Sequence, residues 1–141
     1  MSSETDGAVE FLLYAEDPGA ANFLAPLAVL LRARGRRVAV AAGGLAAGLF
    51  AGRGIVCDAR PAHALLDALE PRLVLCGTAA DPDTPGLALI AQARAAGIVT
   101  AGAVDAAMNA GLRFRGRSQD PLAFAPDWLM VADGHTAGEY T

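Results

Sequence analysis

Between Glu16 and Asn22 the chain reads Glu-Asp-Pro-Gly-Ala-Ala-Asn, two carboxylates followed by small side chains at what reads as the start of a helix. The first turn of a helix leaves backbone N–H groups without partners, and small residues there let an anion or a sugar hydroxyl come close to them. Asp17, Gly19, Ala20 and Asn22 are therefore candidate substrate-binding residues. A plainer explanation stands beside this one: Asp17 before Pro18 is an N-cap with proline in the first helical position.

Other groups able to do chemistry follow further along. Asp105 closes an apolar run as a polar residue at a strand end, and His135 follows Asp133 closely, where an imidazole would titrate near neutrality and move a proton. Thr136-Ala137-Gly138-Glu139 is also a capping-box pattern, so that stretch can equally start a helix. Gly77, Thr78, Asn109 and Arg113 complete the candidate binding set. Arg113, Arg115 and Arg117 could grip a phosphate or carboxylate, or simply keep their loop solvated. Asp81-Pro82-Asp83 has the D-x-D spacing that suits a divalent cation, but flanking prolines make a turn the simpler reading, and no metal site is assigned.

Several chemistries are disfavoured by what the chain lacks. There is no G-x-G-x-x-G, Ala41-Ala42-Gly43 carries no acid to hold a ribose, and there is no G-x-x-x-x-G-K-[ST], so neither a nicotinamide site nor an ordinary P-loop is expected and no cofactor is assigned. Cys57 and Cys76 lie in apolar runs away from both histidines and read as buried free thiols. His63, at the start of a helix, reads as a surface residue.

The elements that would carry these residues follow from periodicity. With 141 residues, 54% of them apolar and 18% charged, the chain is sized for one domain. Six short apolar strands are expected: Val9 to Ala15, Val38 to Ala42, Ile55 to Cys57, Arg72 to Cys76, Ile98 to Val104 and Trp128 to Ala132. Helices are expected from Pro18 to about Arg34, Leu45 to Ala51, Pro61 to Leu69, and from Pro85 to about Ala96, with a last one beginning near His135. Gly35 and Gly97 read as helix terminators, and Arg32, Arg34, Arg36 and Arg37 sit where positive charge suits a helix carboxyl end. Strands alternating with helices predict an α/β fold, a doubly wound, Rossmann-like parallel sheet of about six strands in a three-layer αβα domain. Ligands of such sheets bind beyond the carboxyl ends of the strands. Glu16, Asp17, Asp58, Thr78, Asp81, Asp105 and Asp133 all fall there, although loops are polar in any case.

At the level of motifs the chain resembles the amino-terminal, acceptor-side domain of GT-B-type glycosyltransferases and the related UDP-N-acetylglucosamine 2-epimerases. Leu12-Leu13-Tyr14-Ala15-Glu16-Asp17-Pro18-Gly19, Leu24-Ala25-Pro26-Leu27 and Arg34-Gly35-Arg36-Arg37-Val38 are similar to the opening of those enzymes. Val104 to Arg113 is similar to the segment after their fifth strand, and Pro126-Asp127-Trp128 through Val131-Ala132-Asp133 to the strand before their second domain. Two departures stand out. The first loop lacks the arginine and glutamate that the epimerases carry after its glycine, and Asn109 stands where they have a glutamate.

The resemblance implies a flexible amino terminus over 1–8 and a GT-B amino-terminal-type domain over 9–141, ending where a second domain is expected. It implies the acceptor half of a nucleotide-sugar-dependent transferase, incomplete and inactive alone, with the donor-binding domain missing or on a separate polypeptide. Asp105 or His135 would be its catalytic base. The rival is a self-sufficient small α/β module binding an anionic metabolite or a partner protein. A net charge of −4 argues against nucleic acid as a partner. A polar, acidic start at Met1 to Gly7 and the lack of a long apolar stretch predict a cytoplasmic protein without a transmembrane segment, and association into a homo-oligomer is one expected state.

Overall fold

The computed structural model describes residues 8–77, 85–104 and 126–131. In chain order the elements are β1 (Phe11–Ala15), α1 (Pro18–Ala33), β2 (Val38–Ala42), α2 (Ala46–Gly52), α3 (Ala62–Leu69), β3 (Leu73–Gly77), α4 (Pro85–Ala95), β4 (Val99–Val104) and β5 (Trp128–Val131). The strands form one parallel sheet in the order β2-β1-β3-β4-β5.

The side chains alternate across this sheet, as the pleat requires. Leu12, Tyr14, Ala39, Ala41, Val74 and Cys76 pack against Leu65, Leu66 and Leu69 of α3 and Leu89, Ile90 and Ala93 of α4. Leu13, Ala15, Val38, Val40, Leu75, Ala101 and Ala103 meet Ala20, Ala21, Leu24, Ala25 and Ala28 of α1 and Ala46 and Phe50 of α2. Helices therefore cover both faces, which is why the central strands are apolar without interruption. Each fully buried leucine, such as Leu12, Leu24 or Leu69, adds roughly 1.5–3 kcal/mol of burial.

Local signals fix the ends of α1. Asp17 is its N-cap, its carboxylate accepting the Ala20 N–H at 2.8 Å, and Pro18 occupies the first turn. Gly35, at φ +78°, closes the other end, where its N–H meets the Arg32 carbonyl and the Arg36 N–H meets the Leu31 carbonyl. Two of the arginines at that end have protein partners. Arg32 donates to the Val38 carbonyl, and Arg36 pairs with Glu10 at 3.0 Å.

The expectation of six strands fails at the third. Among the described residues the sheet has five strands, and Ile55 to Cys57 is not one of them. Only Asp58 reaches the outer edge of β2, through a single parallel bridge to Ala41 and an Asp58 N–H bond to the Val40 carbonyl. Val56 is 85% exposed, so this stretch has no second apolar face for a sheet to bury. A β-branched run is too short to hold a strand against an edge when one of its side chains points into water. The expected helix beginning near His135 lies outside the described residues. None of the described helices is long and apolar enough to cross a membrane.

Candidate functional site

From β1 the chain moves outward to β2 and then returns past β1 to β3. Such a reversal marks where open parallel sheets usually take their ligands, in a crevice that here falls beyond the carboxyl ends of β1 and β3. Glu16 stands there, directly after β1. The Tyr14 hydroxyl donates to Glu16 Oε1 at 3.0 Å, and the Gly86 N–H in the first turn of α4 donates to the same oxygen at 2.7 Å. The Glu16 carbonyl accepts the Ala46 N–H at 3.1 Å. One residue thus caps the first turns of α2 and α4, which lie on opposite faces of the sheet.

Small residues make this convergence possible. A Cβ on Gly86 would come to 3.4 Å from both Glu16 Oε1 and the Tyr14 ring, and one on Gly43 to 2.9 Å from the Tyr14 hydroxyl. Burial first, and then the charge and hydrogen bond of Glu16, push the Tyr14 hydroxyl well above the usual phenol range. Tyr14 is consequently a neutral donor toward Glu16 and not a base.

Asp17 lies beside Glu16 and turns its carboxylate inward to its own helix. Its Oδ1 accepts the Ala20 N–H and its carbonyl accepts the Ala21 N–H at 3.1 Å. Gly19 is exposed at the rim. Ala20 is buried, its methyl lying where Gly77 leaves room at the end of β3. Asn22 is exposed, and its side-chain oxygen accepts from Arg53 Nη2 at 2.7 Å. Asp17, Gly19, Ala20 and Gly77 therefore share one neighbourhood, with Asn22 one turn along α1. Thr78, Asp105, Asn109, Arg113 and His135 lie outside the described residues, as do Asp81, Asp83, Arg115, Arg117 and Asp133.

Among the described residues the crevice is therefore acidic, and the amino termini of α1 and α4 already have carboxylate partners. An entering phosphate would meet Glu16 and Asp17 before it met free N–H groups, which opposes its binding. A neutral hydroxyl meets two hydrogen-bond acceptors instead.

Outside the crevice, Asp58 and Arg60 form a two-pronged ion pair, with Arg60 Nε 3.0 Å from both carboxylate oxygens. The Arg60 hydrogen bonds hold the Asp58 carboxyl below its ordinary range. Cys76 is buried and free as expected, while Cys57 is free but only partly buried, because its segment is not inside the sheet. Burial raises both thiols, so neither is an activated nucleophile. His63 is exposed. Among the described residues no three His, Cys, Asp or Glu side chains gather to hold a metal ion.

Tyr14 and Gly86 were not marked by the sequence as site residues. Tyr14 offered a signal, a polar tip inside the otherwise apolar Phe-Leu-Leu-Tyr-Ala strand, where a buried hydroxyl needs a partner. No protein-family model, curated protein or solved structure matches the chain.

Proposed function

We propose that this chain is the acceptor-side domain of a nucleotide-sugar-dependent glycosyltransferase of the GT-B kind, working with a donor-binding domain and inactive without it. The observation that carries the reading is the composition of the crevice at β1 and β3. Glu16 and Asp17 sit there as hydrogen-bond acceptors, and the neighbouring helix amino termini are already capped. Acceptors that receive protons from hydroxyls suit an uncharged saccharide, and a carboxylate near such a hydroxyl helps it become a nucleophile. Resemblance in the Tyr14 to Gly19 segment points the same way.

The same geometry weighs against a module for anionic metabolites. Two carboxylates at the entrance repel a phosphate, and screening at physiological salt weakens but does not reverse that repulsion. Titration of the labelled chain with methyl glycosides, inorganic phosphate and UDP, followed by amide NMR, separates the two. We expect glycoside-induced shifts at Glu16, Gly19 and Gly86, little response to phosphate or UDP, and no sugar transfer by the chain alone. Tighter binding of phosphate than of glycoside, or transfer without a partner domain, would refute the proposal.

A further inference from the structure

Helix α1 is apolar on the side that faces solvent as well as on the side that faces the sheet. From Pro18 to Leu31 it carries no charged residue. Phe23, Pro26, Leu30 and Ala33 are spaced three or four apart with Val29 beside them, so they share one outer face, and all five are exposed. Val29 is 58% exposed and Leu30 50%. A helix that packs on a sheet by one side normally turns a charged side to water, and a helix apolar all round is covered on both. Next to this face a groove of about 390 Å³ runs between α1 and the segment after α2. It is lined by Ala25 and Ile55, both buried, and by exposed Arg53, whose guanidinium donates to Asn22.

Charge appears only at the two ends of α1, and the ends are opposite in sign. Asp17 stands before the first turn with Oδ1 committed to the Ala20 N–H, and Arg34 is the exposed residue at the carboxyl cap. We propose that the outer face of α1 is the contact between two copies of this chain, with their α1 helices antiparallel across a twofold axis at Pro26. A copy turned end for end offers an apolar strip of the same length and brings Arg34 to the partner's Asp17 at both ends at once, with the helix dipoles opposed. A parallel copy would set arginine against arginine. With the axis at Pro26, Phe23 meets the partner's Leu30, and Ala33 meets the partner's Gly19, where small residues let the backbones come close. Sixteen residues make α1 about 24 Å long. One helix face of that length falls at the small end of specific interfaces, under about 1,200 Å² in total, so the pair forms reversibly and weakly.

The contact goes beyond the transferase reading and does not rest on it. It uses the outward side chains of α1, and of the crevice residues only Asp17 and Gly19 stand at its edge. Sedimentation velocity of the chain from micromolar to millimolar concentration is expected to show a monomer to dimer equilibrium. Pro26→Glu and Pro26→Lys each place like charges side by side at the axis and should each weaken self-association at least about tenfold, whereas an equimolar mixture of the two variants, in which opposite charges meet, should associate at least about tenfold more tightly than either alone. Both changes take an exposed proline out of a helix interior, which favours the helix. Arg34→Glu sets an acid against the partner's Asp17 and should weaken self-association several-fold. A chain that stays monomeric at millimolar concentration, association untouched by the two Pro26 variants or by Arg34→Glu, or a mixture no tighter than its components would each overturn the assignment. The Pro26→Glu chain can still be titrated with methyl glycoside at Glu16 and Gly86, so the failure of this contact and the failure of the crevice reading are seen apart.

Discussion

The Ala20 methyl occupies the space that a side chain on Gly77 would need: a Cβ built there falls far inside van der Waals contact with it. This places the first turn of α1 directly on the end of β3, and it explains why both positions are small. Gly77→Ala should therefore push α1 off the sheet or strain β3, at a cost of about 1–3 kcal/mol by analogy with overpacked cores. Urea denaturation would measure it. A paired Ala20→Gly change should recover part of the loss, because it removes the colliding atom; no recovery in the double variant would show that the clash is not the cause.

Glu16 binds two helix starts through different atoms, and only one of them depends on its side chain. Glu16→Ala leaves the carbonyl bond to Ala46 but strips the carboxylate from Gly86 and Tyr14. We expect a loss of about 0.5–2 kcal/mol, the range for removing a helix cap, with faster amide exchange concentrated at the start of α4. Glu16→Gln keeps an oxygen acceptor and should lose less. Equal losses for the two variants would mean that the carboxylate does not act as the cap.

Stability should have a plateau limited by different groups on its two sides. Hydrogen bonds from Arg60 hold Asp58 below its ordinary pKa, and bonds from Thr100 do the same for Asp127. A depressed folded pKa stabilises above the unfolded value of about 3.9, and the benefit is lost as pH falls through the folded value. Both groups are partly exposed, so the acid slope should be shallow and weaken in salt. On the alkaline side, Cys76 and Tyr14 are raised by burial, and a raised folded pKa stabilises below the unfolded value and is lost as pH climbs. Decline should begin near the unfolded thiol pKa of about 8.5. Because Cys57 is raised by burial as well, it is the double variant Cys57→Ala with Cys76→Ala that should move that onset toward the phenol range of about 10, with Cys76→Ala alone making the decline shallower, read as midpoint denaturant concentration against pH. An unchanged onset in the double variant would show that the thiols do not set the limit.

Much of the frame was legible because its signals are local. Asp17-Pro18 marks a helix start and Gly35 a helix end through bonds spanning a few residues, and apolar runs such as Phe11–Ala15 and Leu73–Gly77 announce strands buried on both sides. The third expected strand failed because Ile55, Val56 and Cys57 carry strand-like side chains while their partners are set by the β2 edge, which they meet only at Asp58. The site was legible in part. Glu16, Asp17 and Gly19 fall on the right edge of the sheet by topology alone, but the Glu16 to Gly86 bond joins residues 70 positions apart, and no local pattern encodes it. Asp127 is a similar case. Its carboxylate accepts from both the N–H and the hydroxyl of Thr100, tying the start of β5 to β4 across 27 positions, and it also stands 3.7 Å from Arg94.

Glu70 ends α3 at φ 44° and ψ 53°, the left-handed region, where its N–H still bonds to the Leu66 carbonyl. A side chain in that region costs roughly 1–2 kcal/mol through the contact between its Cβ and the following carbonyl oxygen. Glycine lacks the Cβ and adopts the conformation freely, but it also gains freedom in the unfolded chain, which returns roughly 0.5–1 kcal/mol of the benefit. Glu70 is exposed, so its replacement removes no core contact. Glu70→Gly should consequently stabilise the domain by about 0.5–1 kcal/mol, and Glu70→Val, a β-branched residue poorly suited to positive φ, should destabilise it. Thermal unfolding of the three proteins side by side would decide the point: the order glycine, glutamate, valine supports a strain carried by the backbone at this turn, and any order with valine above glutamate rejects it.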